Sequence, residues 1–390
     1  MNKGIWSRLF AASGQERANA QDAPLKGIKV VELARILAGP WAGQVLADLG
    51  ADVVKVESPD GDDTRSWGPP FLTREDGSKD AAYFHAANRG KTGMVADFSD
   101  PDDLARVKSL IAGADVVIEN FKQGGLARFG LDYASLREDN PRLVYCSITG
   151  FGQDGPYAAR PGYDFIVQGM SGIMDLTGEP DGPPQKIGVA YADILTGLYA
   201  VIGIQAALHQ RESTGTGQLV DMALFDVMVG TLANQAMNFL AGGRSPKRLG
   251  NAHPNIAPYE AYRAKDGWLI VAVGNDRQFA RFAEAIDLPR REEWTTNARR
   301  VKNRESLSAS IRSRVAEWQR DELLEKLLEA NVPAGPINTV RQALEDPQIE
   351  ARQMVLDLGD GLKGIRTPIR FSDAQLDLGK PSPVLPRDSE

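Results

Sequence analysis

The sequence predicts an α/β chain: a parallel, doubly wound sheet in a large Rossmann-like domain, followed by a smaller α+β domain. Three observations predict it. The chain opens as strand, glycine turn, helix and strand, the start of a doubly wound sheet. Its early strands are unbroken apolar runs, as strands covered on both faces require. After Leu240 the texture changes to a glycine- and proline-punctuated meander, and 390 residues exceed the roughly 250–300 at which one core stops growing.

The elements follow in order. Residues 28–33 form a β-branched run ended by Ala38-Gly39-Pro40; Trp41, Val45, Leu46 and Leu49 then recur at helical spacing, closed by Gly50. Residues 52–57 read as the second strand and 93–98 as another. Ser99 or Asp100 caps a helix with Pro101 at its first position and Gly113 at its end. Residues 115–119 and 143–148 supply further buried strands. A long apolar helix is expected over 193–210 and a second apolar stretch over 219–240. Residues 259–264 and 268–273, joined by Asp266-Gly267, read as a hairpin, with helices near 276–287 and 304–330. The expected organisation is a flexible segment 1–23, a large Rossmann-like domain 24–224, a small α+β domain 225–325, and a tail 326–390 returning to the large domain.

Composition narrows the function. A formal charge of −7 and a pI near 5.3 argue against nucleic acid as a partner, so any polyanionic ligand needs a local basic pocket. The one cysteine, Cys146, sits in an apolar run and reads as a buried strand residue in a reducing compartment. No run of 18 apolar residues exists, so no membrane span is expected. A cytoplasmic location is expected, or a mitochondrial one if residues 1–23, with no acidic residue before Glu16, are a presequence. Gly39-Pro40-Trp41-Ala42-Gly43 stands where a dinucleotide fold shows G-x-G-x-x-G, which argues against NAD. His85, His209 and His253 are far apart, so no metal site and no tightly bound cofactor are expected. There is no G-x-S-x-G elbow.

One stretch, 147–178, is too glycine-rich for packing alone. It follows a buried strand, where open α/β sheets bind ligands, and its glycines let backbone N–H groups approach a substrate. Within it Gly162-Tyr163-Asp164 sets an acid beside an aromatic. Asp164 reads two ways: as the cap of a helix starting at Phe165, or as a working carboxylate.

Several segments together resemble the family III CoA-transferases, the CaiB/BaiF group. They are LARILAGP at 33–40, ADVVKVE at 51–57, NRGK at 88–91, ADVVIENF at 114–121, ITGFG at 148–152, GYD at 162–164, TGTGQ at 214–218 and VPAGPI at 332–337. The likeness runs in order from about Pro24 to the C-terminus. It implies two interlocked protomers, acyl-CoA and carboxylic acid as substrates, and Asp164 as the nucleophile. It carries CoA contacts onto Arg35, Ile36, Asn120, Phe121 and Arg128. Some members have arginine where this chain has Ser58, and some shield the intermediate with consecutive glycines, for which only Gly274 and Asn275 stand here.

The resemblance also implies a reaction. An ionised aspartate attacks the donor thioester, giving an acyl-aspartyl anhydride and CoA thiolate. The thiolate then forms an aspartyl-CoA thioester, and the acceptor acid reverses the sequence. In the sister racemases a histidine precedes the aspartate of this motif and works with an acid at the position of Asp193. Here Tyr163 replaces that histidine, and Asp193 alone reads as the cap of a helix beginning at Ile194. An acyl-CoA epimerase and a non-catalytic acyl-CoA binding protein are the alternatives. GDDTRSWGPPF at 61–71 resembles members that pass CoA from succinyl-CoA to a dicarboxylate such as glutarate. The acceptor's distal carboxylate then needs a cation, for which Arg65, Arg89 and Lys91 are the candidates.

Overall fold

The computed structural model describes residues 23–386. These residues divide into two compact units. One holds the residues up to Gly172, Ile187–Ala236 and the chain from Pro347; the other holds Ile173–Lys186 and Met237–Asp346. The second unit thus starts later than the expected 225, runs past 325 and takes in 173–186. Of the expected N-terminal segment only Ala23 is described; it is buried, and the rest lies outside the described residues.

The first unit is built on six parallel strands: β1 (Lys29–Glu32), β2 (Asp52–Glu57), β3 (Thr92–Val95), β4 (Val116–Glu119), β5 (Val144–Thr149) and β6 (Leu219–Ala223). Their order is β3-β2-β1-β4-β5-β6, that of dinucleotide-binding folds. The chain steps outward from β1 through β2 to β3 and then returns to the other side of β1 as β4, so the strand order reverses between β1 and β4. There a crevice opens at the carboxyl ends. The core confirms the apolar runs: Val30, Val31, Val54, Val116, Val117, Ile118 and Val144 are essentially fully buried, as is Cys146 in β5.

Helix α1 (Ala38–Asp48) follows β1, and α2 (Pro101–Ala112) begins as expected, with Asp100 accepting from the backbone N–H of Asp102 and Asp103. Helix α3 (Asp164–Met170) and the long α4 (Tyr191–Thr214) follow β5. The apolar stretch 219–240 resolves into β6, α5 (Leu224–Gly230) and the helix Ala233–Gly242. A five-residue strand running straight into a helix leaves no period long enough to separate them.

By length and composition alone α4 is apolar enough to cross a membrane, as the core helix of a globular domain can be. It buries one face and packs its backbone on α1: a methyl group on Gly197 would stand 2.7 Å from the Ala38 carbonyl oxygen. Near its end the buried Arg211 pairs with Asp115 at 3.0 Å.

The second unit carries a three-stranded antiparallel sheet of β7 (Tyr259–Arg263), β8 (Trp268–Ala272) and β9 (Ala334–Pro336), ordered β9-β8-β7. Tyr262, Leu269, Phe282, Trp294 and Ile311 fill its core under α6 (Asp276–Ala285), α7 (Arg304–Val315) and α8 (Arg320–Glu329). The helix expected over 304–330 is therefore two, broken before Arg320.

Candidate active site

The loops leaving β1, β4 and β5 enclose a cavity of about 600 Å³ within the first unit. Arg35, Ile36, Asn120, Phe121 and Arg128, five residues drawn from distant parts of the sequence, all line it. Asn120 binds the β1 loop from both sides. Its Oδ1 accepts from the Arg35 N–H at 3.0 Å and its Nδ2 donates to the Arg35 carbonyl at 2.7 Å. Ile36 adopts φ +71°, a left-handed conformation costly for a β-branched residue. It is held there because its N–H donates to the Asp62 carboxylate at 3.2 Å. Asp62 is anchored in turn by Lys55 at 2.9 Å, a fully buried cation that also meets Glu32 at 3.2 Å. A smaller cavity of about 280 Å³ lies at the ends of β2 and β3 and shares Arg35, Phe121 and Arg128 with the first.

Two carboxylates occupy the acid position of this region, and they differ. Asp164 is the first residue of α3, not the cap of a helix starting at Phe165. Both its oxygens are engaged. Oδ1 accepts from the Ala192 N–H at 2.8 Å, satisfying a free donor in the first turn of α4, and Oδ2 accepts from Gln168 Nε2 at 2.8 Å. It is not among the residues that line the cavity. Asp193 is among them, in the first turn of α4, which begins at Tyr191, so it does not cap a helix at Ile194. No described group hydrogen-bonds its carboxylate. Burial, and then the negative charge of Asp164, push its pKa up to about 7. It is a poorly solvated, basic carboxylate facing an open cavity. Sequence alone could list Asp193 but not show which of two acids faces the crevice.

The glycines of 147–178 act locally. Gly150 and Gly162 touch backbone to backbone; a methyl group on either would come within 2.4 Å of the other's Cα. This contact lays the loop 157–163 on the end of β5, and Ala158, Ala159, Arg160 and Tyr163 of that loop line the cavity. Arg160 was not among the expected site residues.

The three expected acceptor cations are turned inward. Arg65 pairs with Glu57 at 2.7 Å and Asp80 at 3.0 Å, Arg89 with Asp48, and Lys91 with Glu32 at 2.8 Å. All three are buried and none lines the cavity. Each neutralises an acid that the sheet could not bury alone. Gly274 and Asn275, expected to shield the intermediate, lie in the second unit and start α6. Asn275 Oδ1 accepts from the Gln278 N–H at 2.9 Å, and the Gly274 N–H donates to Gln278 Oε1 at 2.8 Å.

Comparison with known proteins agrees with this architecture. The model of CoA-transferase family III matches residues 25–389. Succinate–glutarate CoA-transferase of Agrobacterium fabrum is 55% identical over 371 residues, 93% of each chain. Human succinyl-CoA:glutarate CoA-transferase is 38% identical over 98% of this chain and 87% of its own. A crystal structure of a CaiB/BaiF family protein from Brucella suis superimposes with a TM-score of 0.86 at 61% identity, covering 94% of this chain and 97% of that one. With a crevice at the strand ends and relatives matched along nearly its whole length, the chain belongs to CoA-transferase family III and is an enzyme of that family.

Proposed function

We propose that the enzyme moves CoA from succinyl-CoA to a dicarboxylate such as glutarate, and that Asp193, rather than Asp164, is the covalent nucleophile. The observation that carries the nucleophile is the contrast between the two acids: Asp193 faces the cavity without a hydrogen bond, while Asp164 holds the α4 N-terminus. The substrate pair is supported by the names of the two transferases above.

In this reading the pantetheine arm enters between the β1 loop and the Asn120–Phe121 corner, bringing the thioester carbon to an Asp193 oxygen. That oxygen attacks, the C–S bond breaks, and CoA leaves as thiolate, leaving an acyl-aspartyl anhydride. The thiolate then attacks the aspartyl carbonyl, and the donor acid departs with the electrons of the anhydride C–O bond. The acceptor carboxylate attacks the resulting aspartyl-CoA, and the steps run in reverse. A desolvated carboxylate suits the first step, because water that would solvate it would also hydrolyse the anhydride. The smaller cavity, beside Ser58 and bounded by Arg35 and Arg128, suits the nucleotide end of CoA. The epimerase reading needs a second base at the site, and no histidine lines the cavity among the described residues.

The test pairs succinyl-CoA with a panel of carboxylic acids, reading product acyl-CoAs by mass, and traps the thioester intermediate with hydroxylamine. Glutarate is expected to accept CoA and the hydroxamate to fall on Asp193, with Asp193→Asn losing transfer roughly 1,000-fold or more. A hydroxamate on Asp164, or a panel in which no acid accepts CoA, refutes the proposal.

A further inference from the structure

We propose that Arg160 is the specificity-determining residue of this site, holding the second carboxylate of a dicarboxylate acceptor; the assignment rests on the transfer reaction above. A dicarboxylate bound with one end at the nucleophile places its other end inside the same cavity, where a charge without a counter-charge is costly. The cavity wall offers four cations: Arg35, Lys122, Arg128 and Arg160. Arg35 is paired with Asp63 at 2.9 Å. Arg128 lies over the Phe129 ring and borders both cavities, which suits a contact at their junction with the CoA phosphates. Lys122 follows Phe121 on that same side and presents a point charge with no fork.

Arg160 differs from all three. Among the described residues it has no acidic partner, and its guanidinium stacks on the Tyr157 ring at 3.9 Å. Stacking holds the planar fork without using its N–H donors, leaving them for a carboxylate. The loop that carries it is itself fixed: the Arg160 N–H donates to the Tyr157 carbonyl at 2.8 Å, and the Gly150–Gly162 contact pins the loop's end to β5. The same loop continues through Tyr163 into α3, whose Asp164 holds the α4 turn that carries Asp193. Fork and nucleophile thus stand on one connected frame around one cavity, preorganised for an acid with a carboxylate at each end.

The experiment compares glutarate with valerate, of equal chain length but one carboxylate, as acceptors in wild type, Arg160→Gln and Arg160→Lys, alongside Kd for free CoA. Where transfer to valerate is too slow to time, inhibition constants of the two acids replace it. Arg160→Gln is expected to cut the glutarate-over-valerate preference roughly 10- to 150-fold through KM, the loss of a charge-assisted contact, with Kd for CoA unchanged. KM for succinyl-CoA, which carries its own free carboxylate, rises in parallel, and Arg160→Lys restores part of the preference. A weakened Kd for CoA with the preference intact makes Arg160 a phosphate contact and overturns the assignment, as does a preference unchanged in Arg160→Gln. A wild type that transfers CoA to no acid ends the transfer reading and this assignment with it.

Discussion

At the residue scale the site turns on two acids that sequence could not rank. Asp164 sits in the recognisable motif and Asp193 does not, yet hydrogen bonding to Ala192 uses the first and leaves the second for the cavity. The same closeness gives a pH test. In the proposed mechanism Asp193 attacks as the anion, and burial and Asp164 raise its pKa to about 7, so kcat/KM should fall as pH drops through that value. Asp164→Asn keeps an oxygen for the Ala192 N–H but removes the repelling charge. An acid freed of a negative neighbour ionises at lower pH, so the acid limb should move down by roughly one unit. A pH–rate profile of the variant superimposable on wild type would show that the two carboxylates do not interact. The cations expected at the acceptor carboxylate were no easier to rank. An arginine or lysine in a strand-loop segment looks the same in sequence whether it meets a substrate or a buried aspartate, and Arg65, Arg89 and Lys91 all meet buried acids.

At the element scale most of the first unit was legible, because β2 and the Asp100–Pro101 start of α2 carry local signals that packing does not override. What was not legible is why Gly39 and Gly43 recur on one face of α1. A methyl group on Gly39 would meet Ala34 Cβ at 2.3 Å, and one on Gly43 would stand 1.8 Å from Glu32 Oε2. The glycines that fail to make a dinucleotide loop instead let α1 lie over a buried charge cluster. Glu32 there binds Lys55 and Lys91, and Lys55 holds Asp62, which fixes the strained Ile36 turn at the cavity. Gly43→Ala must therefore displace the Glu32 carboxylate and weaken its pairing with two buried cations. A loss of about 3–5 kcal/mol in urea unfolding is expected. Gly274→Ala, whose methyl group would meet only Gln278 Oε1 at an ordinary 3.4 Å, serves as the control and should lose far less. Equal losses in the two variants would mean that the cluster contributes nothing particular to α1.

At the scale of the whole molecule the sequence places a second unit after the first but not its boundaries. The return of the chain from Pro347 and the inclusion of 173–186 in the second unit come from contacts between segments far apart in sequence, which no local pattern encodes. The interlocked pair that the family resemblance implies makes a sharper demand on the surface. On α4, Thr196, Ala200 and Ile204 are buried against the first unit, while Leu198, Tyr199 and Ile202 on another face are 40%, 45% and 62% exposed. Phe165 and Ile166 of α3 add two further exposed apolar side chains. Single exposed apolar residues need no cause, but several gathered on α3 and α4 mark a face that another surface would cover. A second copy of the chain is the occupant we propose for this face. In sedimentation the enzyme is expected to run at twice the 42.3 kDa of one chain. Ile202→Asp puts a charge where burial in the pair would strand it, so this variant should shift toward single chains while keeping its helical circular dichroism. Wild type sedimenting as one chain at micromolar concentration, or Ile202→Asp pairing as tightly as wild type, would leave the apolar face of α4 to some other role.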